Sequence, residues 1–149
     1  MNNETIDQNE LKFITYMIFD GHCGLRSRRL TKGDQNVKND FEDICNSLNI
    51  KFRRKDKCNF SEYFMYGSPT KELCEKYGIL GKLSKYKRLP DCFFKMPIKQ
   101  KWDFINIMFQ TDGWFDNKCG AITLASEGLI EDIKYIVRTL GLKCSQVVK

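Results

Sequence analysis

The sequence is poor in the residues that many metal and nucleophile chemistries use. A single histidine, His22, stands in 149 residues. Catalysis by histidine or cysteine would therefore rest on His22 and the adjacent Cys23, whose base geometry no spacing fixes. The seven cysteines are an odd number without a Cys-x-x-Cys pair, which signals neither a disulfide framework nor a zinc site. Reduced, mostly packed thiols are expected. No run approaches the ~20 apolar residues that a membrane helix needs. The opening MNNETIDQNELK also lacks the basic start and apolar stretch of a signal peptide. These absences point to a soluble, intracellular protein with no membrane partner, in a compartment the sequence does not specify.

What is present is a core-forming, basic composition. Apolar residues make up 42% and charged residues 30%, enough to bury a core and argue against a wholly disordered chain. The net charge of +6 is unevenly spread. Residues 26–57 carry +5, including Arg26, Arg28, Arg29, Lys32, Arg53, Arg54, Lys55 and Lys57. Residues 82–101 carry +6, including Lys82, Lys85, Lys87, Arg88, Lys95, Lys99 and Lys101. One basic run reads as a solvated face. Two runs with aromatics between them (Phe60, Tyr63, Phe64, Tyr66, Tyr77) suit a polyanionic partner.

Periodicity gives a mixed pattern. Thr5-Ile6-Asp7-Gln8 has the form of a capping box, opening a helix from about residue 5 to Asp20 that Gly21 ends. Residues 25–32 read as a strand, and Val37, Phe41, Ile44, Cys45 and Leu48 line one face of a helix over 36–48. Residues 50–53 and 61–66 alternate as a hairpin, and Ser68-Pro69 starts a helix as N-cap and N1. Pro97 starts another helix, which runs to Asp112 and ends at Gly113. A strand over 121–125 and a helix over 127–140 follow. The fold class is α+β.

The same order occurs twice at a constant shift of 92 positions: Asp20 falls on Asp112, Gly21 on Gly113, Thr31 on Thr123, Asp40 on Asp132, Ile44 on Ile136 and Leu48 on Leu140. We read a duplicated, pseudo-two-fold unit with a first half over 1–96 and an incomplete second half over 97–149. The glycines suit helix C-caps. The aspartates do not, because a carboxylate in the last turn opposes the helix dipole by roughly 0.3–1 kcal/mol at an exposed site. Such an aspartate can be an ordinary exposed helix end. Two brought together can instead hold a divalent cation and activate water at a phosphodiester.

At these residues the sequence resembles the two-motif, monomeric LAGLIDADG homing endonucleases, and in particular the endonuclease domains of inteins. The first motif is Phe13-Ile14-Thr15-Tyr16-Met17-Ile18-Phe19-Asp20-Gly21, and the second is Ile105-Asn106-Ile107-Met108-Phe109-Gln110-Thr111-Asp112-Gly113, followed by Trp114. Lys87-Arg88-Leu89-Pro90 matches the family's Lys-x-apolar-Pro element, and Leu140-Gly141-Leu142 its later corner. The resemblance implies that Asp20 and Asp112 are catalytic and bind Mg²⁺ or Mn²⁺, with the carbonyls of Phe19 and Thr111 as further ligands. Lys87 would be the active-site lysine. A sheet saddle carrying Arg26, Arg28, Arg29, Lys32, Arg53, Arg54 and Lys55, with Arg88 nearby, would contact double-stranded DNA.

Thr15, Phe19 and Ile107 stand where the family usually has small residues, which predicts a wider or shifted crossing of the motif helices. The chain stops before a counterpart of Lys87, and it lacks the terminal His-Asn of an intein. The expected protein is a monomeric DNA endonuclease, with a dimer or complementing fragment as the other way to complete the second half. The alternative is a degenerate, non-cleaving DNA-binding domain, or an intron RNA maturase of the same fold.

Overall fold

The computed structural model describes residues 5–111, 113–115, 120–122, 124 and 126–142. The first helix, α1 (Gln8–Asp20), is apolar on every side from Phe13 to Phe19, and all seven of those side chains are buried. Its cap is Asp7, whose carboxylate accepts from the Glu10 amide at 3.0 Å. The cap therefore lies two residues beyond the expected Thr5. Burying a large apolar side chain is worth roughly 1.5–3 kcal/mol, so α1 is held by packing on all sides.

Gly21 does not end α1 in the left-handed conformation expected of it. Its φ is −89°, extended, and it opens a short strand, β1 (Gly21–Cys23). Its smallness has a different cause: a Cβ there would lie 2.7 Å from Met17 Sδ and 2.8 Å from Met17 Cα. After a turn, β2 (Arg28–Lys32) leads to α2 (Gln35–Ser47). The cap of α2 is Asp34, accepting from the Val37 amide at 3.0 Å. A hairpin of β3 (Lys51–Asp56) and β4 (Ser61–Tyr66) completes an antiparallel sheet in the order β1-β2-β4-β3.

Next comes α3 (Ser68–Lys76), preceded by Gly67 at φ +91°, a conformation that favours glycine; Gly67 rather than Ser68 is the N-cap. A single 3₁₀ turn (Ser84–Tyr86) and a short α4 (Asp91–Lys95) follow. Then α5 (Ile98–Thr111) packs against α1. A separate hairpin, β5 (Gly113–Phe115) with β6 (Gly120–Ile122), and α6 (Glu127–Thr139) follow. The order helix, hairpin, helix thus occurs twice, as the 92-residue shift predicts.

Aromatic contacts knit the core. Phe41 on α2 stacks on Phe13 with centroids 5.9 Å apart and meets Tyr16 and Tyr63 edge-on. Phe104 on α5 touches Phe19 and Phe93. Of the large motif residues, Phe19 packs on Phe104 of α5, and the buried Thr15 hydroxyl donates to Leu11 O of its own helix at 2.6 Å. Buried Gln100 on α5 accepts from Ile6 N at 3.0 Å and donates to Ile6 O at 2.6 Å.

Candidate nucleic-acid interface

The four-stranded sheet has two unlike faces, because successive side chains of a strand point to opposite sides. The register sets Leu30 opposite Tyr63, and Arg28 opposite both Cys23 and Met65. These buried residues, with Lys32 and Ser61, form the face that α1 and α2 cover. The other face carries a cross-strand row of His22, Arg29, Phe64 and Arg53, then Thr31, Glu62 and Lys55, then Tyr66 and Lys51. On it His22, Arg29, Thr31, Lys51, Arg53, Lys55 and Tyr66 are exposed. The Arg53 guanidinium lies over the Tyr66 ring at 5.8 Å.

The cations expected on a saddle therefore divide. Arg29, Arg53 and Lys55 share the outer face, and Arg26 is exposed in the β1–β2 turn. Arg28 and Lys32 point the other way, at 4% and 8% exposure. Arg28 donates to the carbonyls of Leu25 at 3.2 Å, Gly67 at 3.4 Å and Gly24 at 3.5 Å. It is a staple between the β1–β2 turn and the start of α3. Arg54 faces away from Arg53, bonding Asp56 Oδ1 at 2.7 Å and Glu42 Oε2 at 3.1 Å. The Ser61 hydroxyl and then Arg54 hold the Asp56 carboxyl below its ordinary range. Arg88 makes a bidentate pair with Asp132 at 2.8 and 2.7 Å.

The carboxylate centre lies at the end of α1. Asp20 is partly exposed and pairs with the ammonium of Lys32, which reaches it from the covered face of β2. Lys87, 2% exposed, donates to Met17 O at 2.7 Å, Gly21 O at 2.6 Å and Ile18 O at 3.4 Å. Two ammonium groups thus converge on the negative end of the helix dipole and its terminal carboxylate. Phe19 and Thr111 occupy the last turns of α1 and α5. Asp112, the second motif carboxylate, lies outside the described residues. Among the described residues no cluster of three or more His, Cys, Asp or Glu side chains could hold a metal. The Asp20 carboxylate and the carbonyls at the helix end are nonetheless hard oxygen donors of the type Mg²⁺ takes.

Sequence reasoning assigned no site role to Ser126, or to Asp132 beyond its place in the repeat, yet both grip the segment carrying Lys87. Ser126 Oγ donates to Lys87 O at 2.8 Å, and Asp132 Oδ2 accepts from Leu89 N at 3.1 Å. No local signal links residues about 40 positions apart. The inward turn of Arg28 and Lys32, by contrast, was readable from Leu30 between them, since alternate residues share a face.

A four-stranded antiparallel sheet and a separate two-stranded hairpin, flanked by helices and with a pair of apolar helices that carry the motifs, define an α+β protein with the LAGLIDADG fold. Solved structures agree. Full-length DUF199/WhiA from Thermatoga maritima superposes with a TM-score of 0.58 at 10% identity, over 93% of this chain and 46% of that one. The chain thus spans about half of that protein's length. The N-terminal LAGLIDADG domain of DUF199/WhiA gives a TM-score of 0.56 at 8% identity, over 93% of this chain and 68% of that one. I-DmoI in complex with DNA and Mn gives 0.62 at 12% identity, over 91% and 79% respectively. No family model and no curated protein matches the sequence. Among the described residues no helix is long and apolar enough to cross a membrane.

Proposed function

We propose that the chain binds duplex DNA with the outer face of its four-stranded sheet and cuts it as a site-specific endonuclease, through Asp20 and Asp112. The observation that carries the reading is the division of cations. Arg29, Arg53 and Lys55 stand together on an exposed face with Phe64 and Tyr66. Arg28 and Arg54, whose side chains leave the strands on the opposite side, donate to carbonyls and carboxylates of the protein itself. Basic side chains on a strand surface can bond phosphates and, as arginine, guanine edges. I-DmoI, solved with DNA and Mn, supports both the DNA partner and the divalent ion.

In this reading the residues 1–96 and 97–149 each contribute one motif aspartate to a shared site. Bound Mg²⁺ or Mn²⁺ would supply an activated water and stabilise the leaving oxygen. The protein's own part is positional. Asp20 offers its carboxylate at the end of α1, with the carbonyls of Phe19 and Thr111 as further donors. Lys32 balances the Asp20 charge before an ion arrives. Lys87 keeps its ammonium on the carbonyls of Met17, Ile18 and Gly21 and so fixes the helix end that carries Asp20.

The test is a duplex carrying a cognate site, selected from a randomised library by binding. Wild type should bind with a steep salt dependence and cut the duplex in Mg²⁺. Asp20→Asn and Asp112→Asn should stop cutting and leave binding largely intact. Equal cutting by these variants would remove the metal assignment. Binding by wild type with no cutting would assign the non-cleaving module instead, and preference for structured RNA the maturase.

A further inference from the structure

We infer that Ser126, Gly128 and Asp132, on the first turns of α6, are positioning residues that set where the Lys87 ammonium stands. The consequence for cleavage rests on the endonuclease reading; the placement of the lysine does not.

The segment 87–90 lies in no helix or strand, yet the side chain of Lys87 is buried and reaches three carbonyls of one helix end. A lysine side chain gives up as much as ~2 kcal/mol of rotamer entropy when fixed, so its backbone must be held firmly for that site to persist. Helix α6 does this at three successive residues. Ser126 caps α6 by accepting from the Leu129 amide at 3.1 Å, and the same hydroxyl donates to Lys87 O at 2.8 Å. Asp132, 7% exposed, takes the Arg88 guanidinium in two bonds and the Leu89 amide in a third. A bidentate charge-assisted pair fixes orientation as well as distance. Gly128 supplies the space: a Cβ there would stand 2.5 Å from Arg88 Cδ and 2.7 Å from its Nε.

The repeat sharpens the assignment. At the 92-residue shift Asp132 corresponds to Asp40, which accepts from the Tyr16 hydroxyl at 2.9 Å and so braces α1. The acid is shared, but in the second copy it grips the Lys87 segment. Residues of the second unit thus set the lysine of the first.

Competitive labelling of the full chain with acetic anhydride, read lysine by lysine by mass spectrometry, tests this whether or not the protein cuts DNA. Ser126→Ala and Asp132→Asn should raise the labelling rate of Lys87 about tenfold, the size of a local opening eased by one lost hydrogen bond. Buried Lys32, on β2, should keep its wild-type rate, and Ser126→Thr should restore protection of Lys87. Wild-type labelling of Lys87 in both variants, or Lys32 rising in step with it, would overturn the inference. In a cutting assay the same variants should lose kcat with KM retained. A wild type that does not cut removes the endonuclease reading and leaves the labelling result to be judged alone.

Discussion

The division of the sheet into two faces makes arginine replacements diagnostic. Arg53→Gln removes an exposed guanidinium whose described contact is the Tyr66 ring. Folding should be indifferent, because surface changes away from special features lie within about 0.5 kcal/mol. If Arg53 contacts a phosphate, the slope of log affinity against log salt should shrink by about 0.9 for the single lost contact. If it reads a base, about 1–3 kcal/mol should be lost at one target position, roughly 5- to 150-fold in Kd. Arg28→Met reverses the pattern. It takes the charged donor from the part-buried carbonyls of Gly24, Leu25 and Gly67, and a hydrogen bond to a charged group is worth about 1.5–3 kcal/mol. At roughly 2–4 °C per kcal/mol for a chain of this size, the Tm shift is easily read by calorimetry. DNA affinity per folded molecule should hold. Fluorescence anisotropy across a salt series, beside melting curves, measures both. If Arg28→Met weakens binding at unchanged Tm while Arg53→Gln does not, the two faces have been assigned the wrong way round.

Two further outcomes concern stability. Phe41 sits between Phe13, Tyr16 and Tyr63, so Phe41→Ala should cost about 3–5 kcal/mol in urea titrations; under 1 kcal/mol would mean that this cluster is not the core. Burial and neighbouring carboxylates raise the hydroxyls of Tyr16, Tyr63 and Tyr77 above their ordinary value, and burial pushes the Cys45 thiol up to about 12. A raised folded pKa gives stability that is complete below the unfolded value and fades as pH climbs past it. Tm should therefore hold to about pH 9 and fall increasingly above about pH 10, and Tyr16→Phe should flatten the fall. A Tm constant to pH 11 would contradict the buried hydroxyls.

Long periodic elements were legible in the sequence, whereas contacts between them were not. α2 begins one residue before its expected start, and α5 and α6 lie within the expected ranges, because apolar spacing fixes a helix face directly. β1 escaped because Gly21–Cys23 is too short to alternate, and α4 because its five residues are too few to show a helical period. The capping residue of α1 was misread because Thr5 and Asp7 both carry a side-chain oxygen that can accept from a first-turn amide; in the structure Asp7 is the one that does. At the site, Asp20 and Lys87 stood out as motif members. Parity around Leu30 would have turned Arg28 and Lys32 inward, had charge not drawn attention to the whole run. The hold of Ser126 and Asp132 on residues 87–89 depends on tertiary geometry alone.

The double hydrogen bond between Gln100 and Ile6 has a thermodynamic meaning. A side-chain amide that gives and takes one bond each treats Ile6 as a neighbouring strand would, and thereby welds the approach to α1 onto the start of α5 across 94 residues of chain. Release of that segment leaves a buried amide on the opposite helix without its partners, so fraying at one place is penalised at the other. Coupling here extends beyond the apolar contact of α1 with α5, so the two helices are expected to open together rather than one at a time.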